Sequence, residues 1–176
     1  MNRPHIIATA LVFSLGATLS ACAQSVAPVA ANADSSSKAA SASQVVAMPE
    51  VLVHKDANCG CCNLWVDHLR EAGFKVRVSD EVDMAAVKDR VGVPFGKGSC
   101  HTAEVAGYFM EGHVPAQDIM RLLKDKPKAK GLTVPGMPMG SPGMEMPDGA
   151  VQPYTVELVT PEGTTEPFAQ HGKSAE

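Results

Sequence analysis

Short apolar runs alternating with amphipathic stretches, turn residues between them, and a cysteine cluster at the first run-to-helix junction predict an α/β domain with the element order βαβαββα. Val51-Leu52-Val53-His54 reads as a short buried strand. A helix follows from about Gly60 to Ala72, with Leu64, Trp65 and Leu69 at core spacing and Gly73 as its C′ residue. Lys75-Val76-Arg77-Val78 alternates with period two and forms the second strand. Asp83 to about Val91 is the second helix, with Met84, Val87 and Val91 on one face and Gly92-Val93-Pro94 closing it. Ala103-Glu104-Val105 and Gly107-Tyr108-Phe109-Met110 are two strands turning near Ala106-Gly107. Pro115 suits the first turn of a third helix whose Ile119, Leu122 and Leu123 point inward, and the basic cluster Lys124 to Lys130 complements its C-terminus. Gly131 to Gly149, rich in Met, Pro and Gly, is expected to hold no regular element. Tyr154 to Val159, returning through Thr164 to Phe168 around Pro161-Glu162-Gly163, reads as a C-terminal β-hairpin, with fraying after Gln170.

Within 176 residues the first part is not domain-like. Arg3 precedes the apolar stretch Ile6 to Leu19, too short to span a bilayer and laid out as an export signal. Leu19-Ser20-Ala21-Cys22 has the form of a bacterial lipobox, which makes residues 1–22 a signal peptide and Cys22 a lipidation site. Ordinary cleavage after Ala23 is the alternative, because Ala21-Cys22-Ala23 also satisfies the small-x-small rule. Residues 23–48, rich in Ala, Ser, Gln and Val, cannot bury enough apolar surface to offset ordering entropy and read as a disordered tether. The folded domain spans 49–170, and 171–176 form a flexible tail. Both cleavage readings export the protein, which places it in the periplasm, tethered to the membrane by lipid alone under the first. A net charge of −4 and the lack of a basic stripe give no support for a nucleic-acid partner.

Export puts the remaining cysteines where two disulfides are the default for a small domain. Cys59, Cys61 and Cys62 are, however, too clustered to staple distant elements, and only Cys100 is far enough away to close a long loop. An order βαβαββα with cysteines at the first strand-to-helix junction is the thioredoxin arrangement, in which oriented amides at a helix N-terminus favour the thiolate. Cys59 and Cys62 are spaced as Cys-x-x-Cys, so a redox dithiol is chemically available. Cys61 would compete in such an exchange, whereas in a metal site it is one more ligand. Four clustered thiolates suit Cu(I), more than one ion of it, because Cu(I) accepts low-coordinate sulfur geometry. Zinc bound by four cysteines is the rival, although structural zinc usually draws on two separated ligand pairs.

Four of the nine methionines, Met137, Met139, Met144 and Met146, fall in the Pro/Gly-rich segment, and a thioether is a soft neutral donor. The competing reading makes those methionines flexible packing that lids a groove. Among the histidines, His101 adjoins Cys100 and is the best ligand candidate. His113, just before Pro115, either caps the third helix or reaches the site from a neighbouring loop. His68 reads as a satisfied core histidine, His54 as structural or supporting a ligand, and Trp65 as core. The candidate metal ligands are therefore Cys59, Cys61, Cys62, Cys100, His101, Met137, Met139 and Met144.

Five motifs in order carry a family resemblance across Val51 to Phe168. They are His54-Lys55-Asp56 before Cys59-Gly60-Cys61-Cys62, Trp65 with His68-Leu69, Ser99-Cys100-His101-Thr102-Ala103, Glu111-Gly112-His113-Val114-Pro115, and Gly131-Leu132-Thr133-Val134-Pro135-Gly136-Met137-Pro138. The chain resembles the periplasmic CopG-like family of copper-resistance proteins. That resemblance implies a thioredoxin-like fold, a place in the cell envelope, copper held by Cys59, Cys61, Cys62 and Cys100, interconversion of Cu(I) and Cu(II), and envelope copper chaperones or exporters as partners. Two alternatives stand beside it: a thiol-disulfide oxidoreductase using Cys59 and Cys62, and a zinc-stapled structural module. Fold analogy does not choose between a copper store and a copper enzyme.

Overall fold

The computed structural model describes residues 48–172. The expected signal peptide with Cys22, all but the last residue of the expected tether, and the final four residues lie outside them. The described chain is a mixed α/β unit with seven strands and three helices. These are β1 (Val51–Lys55), α1 (Gly60–Glu71), β2 (Val76–Asp80), α2 (Met84–Val91), β3 (His101–Val105), β4 (Tyr108–Glu111), α3 (Ala116–Asp125), β5 (Gly131–Thr133), β6 (Tyr154–Val159) and β7 (Thr165–His171). They form one sheet in the order β2-β1-β3-β4-β5-β6-β7. The β1/β2 and β4/β5 pairs are parallel and the other four antiparallel.

Strand alternation separates the two sheet faces. Val51, Val53, Ala103, Val105, Met110, Leu132, Val156 and Leu158 join Trp65, Val66 and Leu69 of α1 and Ile119 and Leu122 of α3 in one buried apolar cluster. The intervening residues His54, Thr102, Glu104 and Glu111 carry the polar face, where Lys88 and Arg90 of α2 bond to Thr102, Glu111 and Glu104. Asp83 caps α2 by accepting from Ala86 N at 3.1 Å, and Gly92 ends it in the left-handed conformation with φ 83°. The β3–β4 turn places Ala106 and Gly107 at φ 48° and 86°, the positive pair that a two-residue hairpin turn requires.

The segment Gly131 to Gly149 departs from expectation, because Gly131–Thr133 forms β5 beside β4. Leu132 and Val134 supply apolar side chains for the core, and only glycine fits at 131, where an added Cβ would lie 2.0 Å from Phe109 O. Helix α3 makes the crossover that a parallel β4/β5 pair needs. At the other end, β7 runs on to His171, whose Nε2 lies 2.6 Å from Asp118 Oδ2 on α3.

Candidate metal centre

The β1–α1 loop sets the sulfur cluster. Asp56 accepts from Asn58 N at 2.7 Å through its side chain and from Cys59 N at 3.1 Å through its carbonyl, turning the chain so that Cys59 becomes the N-cap of α1. Among the described residues no side chain caps this helix, so its first amides stay available to sulfur. Cys62 is fully buried one turn in, where it is joined to the partly exposed Cys59 by a disulfide with a Cα–Cα distance of 5.3 Å. Cys61 and Cys100 are free thiols. Of the two thiol chemistries open to the sequence, the dithiol pair Cys59/Cys62 is thus present in its oxidised form.

Sheet register brings Cys100 to this cluster. Lys55 of β1 pairs with His101 of β3, so the residue before β3 falls beside the loop leaving β1. Cys61 Sγ lies 3.6 Å from Cys59 Sγ and 4.0 Å from Cys100 Sγ. Sulfurs around a tetrahedral ion at a metal–sulfur distance near 2.3 Å would be separated by about 3.8 Å, so the spacing suits a shared cation with little rearrangement. The sulfur atoms of Cys59, Cys61, Cys62 and Cys100 all lie within 4.8 Å of one another.

The same register adds a histidine. Thr102 pairs with Glu111, and Gly112 N donates to His101 O at 3.0 Å, which leaves His113 across from Cys100. His113 Nε2 sits 3.2 Å from Cys100 Sγ, and its Nδ1 lies 2.7 Å from Pro142 O. A carbonyl only accepts, so Nδ1 carries the proton and Nε2 turns its lone pair toward sulfur. Cys100, His101 and His113 thus make a second donor group that shares the Cys100 sulfur with the first. His113 does not cap α3. That role falls to His68, whose Nε2 accepts from Ala116 N at 3.0 Å, as a satisfied half-buried histidine should. Spacing along the chain leaves two roles open to His113, and pairing across β3 and β4 decides between them.

His101 is completely buried, with its Nδ1 3.4 Å from Cys100 Sγ and its ring centroid 4.3 Å from that of Trp65. Its Nε2 has no hydrogen-bond partner among the described residues. Burial first, then the neighbouring His113 and Lys88, push its pKa down to about 3, so the ring is neutral and able to offer a lone pair. Burial also lowers the pKa of His113. The Cys100 thiol is pushed up to about 11, by burial first and by nearby Cys61 second, so without a cation it keeps its proton and donates toward His113 Nε2.

Two supports hold this end of the sheet. Fully buried Glu111 accepts from Ser99 N at 2.5 Å, Thr102 Oγ1 at 2.6 Å and Lys88 Nζ at 2.5 Å, fixing the residue before Cys100. Burial is the main influence on its carboxyl and raises the pKa, with Lys88 opposing. The methionine-rich segment forms a cover. Gly143, at φ 82°, passes so close to α1 that an added Cβ would lie 2.7 Å from Trp65 N and 2.8 Å from Cys61 O. Pro142 O accepts from His113 and Gly143 lies against α1, while Met137 and Met139 are half-exposed and Met144 is partly buried.

Sulfur and imidazole donors gathered where β1 ends and β3 begins, under a methionine-rich cover, define a mixed α/β protein with a candidate soft-metal centre. A family model described as "Protein of unknown function, DUF411" matches residues 97–144, the stretch holding Cys100, His101, His113 and the cover. No curated protein matches the chain. A solved structure described as "Copper resistance protein copG- Form 1" is 48% identical, with a TM-score of 0.68 over 72% of this chain and 99% of that one. A second, "Copper resistance protein copG- Form 2", is also 48% identical, with a TM-score of 0.67 over 70% of this chain and 98% of that one. The chain belongs to the CopG-like copper-resistance family.

Proposed function

We propose that this protein is an exported copper-binding protein of copper resistance that holds Cu(I), more than one ion of it, on the thiolates of Cys59, Cys61, Cys62 and Cys100. The observation that carries the reading is the 4.0 Å approach of Cys61 and Cys100, residues from separate elements with no disulfide between them. In this reading copper is cargo. Full occupancy needs Cys59 and Cys62 as thiolates, so their disulfide must first be reduced. His101 and His113 assist from the imidazole side, and Met137, Met139 and Met144 offer thioethers to an ion arriving or leaving across the cover. Strand order β2-β1-β3-β4 with the cysteines where α1 begins supports a thioredoxin-like core. Interconversion of Cu(I) and Cu(II) is the redox part of the proposal: oxidation of each ion passes one electron to an external acceptor, and reduction takes one from an external donor.

The cellular part rests on sequence: a signal peptide, lipidation at Cys22, and a periplasmic domain receiving copper from, or passing it to, envelope chaperones or exporters. Among the described residues no helix is long and apolar enough to cross a membrane.

One observation favours a second reading as a thiol-disulfide oxidoreductase: the disulfide at the start of α1 joins an accessible Cys59 to a buried Cys62, as an attacking and a resolving thiol would be. Cys61→Ser separates the two. Copper per chain, measured on anaerobically reduced protein, should fall under the copper reading, whereas disulfide reductase activity should persist under the other. Unchanged copper uptake would remove the main support for the sulfur cluster. Elemental analysis of protein isolated from the envelope distinguishes copper from the zinc alternative, and a zinc-stapled module would unfold on chelation.

A further inference from the structure

Two donor groups share one sulfur, and only one of them depends on the disulfide. Cys59, Cys61, Cys62 and Cys100 form the first; Cys100, His101 and His113 form the second. While Cys59 and Cys62 are bonded to each other, neither sulfur can carry a thiolate charge, and the four-sulfur group is reduced to Cys61 and Cys100. The second group is intact in that state. His113 Nε2 still faces Cys100 Sγ at 3.2 Å with its lone pair fixed by the Pro142 carbonyl, and Cys61 Sγ stands 4.0 Å from the same sulfur. Completely buried His101 adds its Nδ1, 3.4 Å from the same sulfur.

We infer that the Cys59–Cys62 disulfide is a two-electron gate on the metal centre: closed, it leaves a smaller thiolate–imidazole site of Cys100, His101 and His113, with Cys61 beside it, for one soft monovalent cation, and opened, it adds two thiolates and raises the capacity. This rests on the reading that sulfur binds copper and specifies how that site is regulated.

Accessibility sets the order of the opening step. Cys59 is partly exposed and Cys62 wholly buried, so an external thiolate attacks Cys59 Sγ. A bond forms between that thiolate and Cys59, the Cys59–Cys62 bond breaks, and Cys62 leaves as thiolate. A second thiolate of the same dithiol partner then attacks its own sulfur in the mixed disulfide, which closes a disulfide in the partner and releases Cys59. Two electrons pass from the partner dithiol to this chain, and the two protons of that dithiol go to solvent or to the released cysteines. The gate is therefore operated by a dithiol, and the metal capacity reports its state.

Silver(I) is the suitable probe, because it is soft and monovalent yet does not deliver electrons to the disulfide as Cu(I) can. The full chain is prepared in its disulfide form and in a dithiol-reduced form freed of reductant, each checked by free-thiol titration, and titrated with Ag(I) against a competing chelator. The disulfide form should bind about one ion per chain and the reduced form at least about two. In the disulfide form, Cys100→Ser, which removes the shared sulfur, should abolish binding, while Cys61→Ser and His113→Ala should each weaken it by about tenfold or more. Equal stoichiometry in the two wild-type forms would overturn the gate. Binding by the reduced form alone would overturn the smaller site while leaving the four-sulfur reading standing. No binding in either form would overturn that reading and this inference with it. The wild-type comparison needs no substitution, so a variant that fails to fold does not blunt the test.

Discussion

Two histidine sites, one at His54 on β1 and the other at His101 on β3 with His113 just beyond β4, behave oppositely. On the polar face, His54 of β1 has Nδ1 2.7 Å from Glu81 Oε1 and Nε2 3.0 Å from Glu104 Oε1, and Glu104 is also bound by Arg90 at 2.8 Å. Both of its ring nitrogens are matched. By contrast, His113 matches one nitrogen to a carbonyl and aims the other at sulfur, and among the described residues His101 Nε2 has no partner. Burial alone does not separate them, since His54, His101 and His113 are all buried. What separates a structural histidine from a candidate ligand here is the partner of its second nitrogen.

The strongest way to break this contrast is to exchange consequences between the clusters. Cys100→Ser removes the sulfur common to both donor groups and should weaken copper binding by more than about 100-fold, beyond the loss typical of an outer partner. His54→Gln should leave copper affinity nearly unchanged while costing about 1 kcal/mol of stability, because its carboxylate partners are partly solvated. Chelator competition and urea unfolding read the two effects separately. A large copper defect in His54→Gln would erase the distinction.

Acid should next resolve the clusters by pH window. An unfolded histidine takes up its proton near pH 6.5, whereas buried His101 does so only near 3. Between those values the unfolded chain binds more protons, so stability present above about pH 6.5 is lost as pH falls, by roughly 1.4 kcal/mol per pH unit from this residue in metal-free protein. His68 and His113, both lowered by burial, act in the same direction. Glu81 and Glu104 are held low mainly by hydrogen bonds from His54 and Arg90 respectively, so their contribution persists above the ordinary carboxyl value of 4.5 and fades only as pH falls through their lower folded values. Urea midpoints across pH 7 to 4 should therefore decline early, and His101→Asn should flatten the decline. A midpoint flat to pH 4.5 in the wild type would contradict the neutral buried histidines.

The smallest effect is expected at the cover. Replacing Met137 and Met139 together by Leu should change equilibrium copper affinity by less than about tenfold, because both side chains are half-exposed. Their effect should instead appear in the rate of copper transfer to a chelator, measured by stopped flow.

Much of this contrast was legible in the chain. The order of the first seven elements followed from apolar period and from Gly73, Asp83, Gly92 and Pro115, and the Cys59-Gly60-Cys61-Cys62 cluster announced sulfur chemistry by density alone. Strand β5 was not legible, because three residues inside a Pro/Gly-rich segment carry no periodic signal and pair only after α3 returns the chain to β4. Nor was the role of His113, which depends on cross-strand register rather than spacing. The Cys59–Cys62 bond was one of several thiol states the spacing permits, and proximity in the fold rather than composition selects it.

X-ray absorption at the copper edge, on anaerobically reduced protein loaded with Cu(I), tests the central claim most directly. Sulfur-dominated coordination in the wild type that loses sulfur neighbours in Cys100→Ser is the predicted result. Coordination by nitrogen and oxygen alone, or a sulfur shell indifferent to Cys100, would contradict the account.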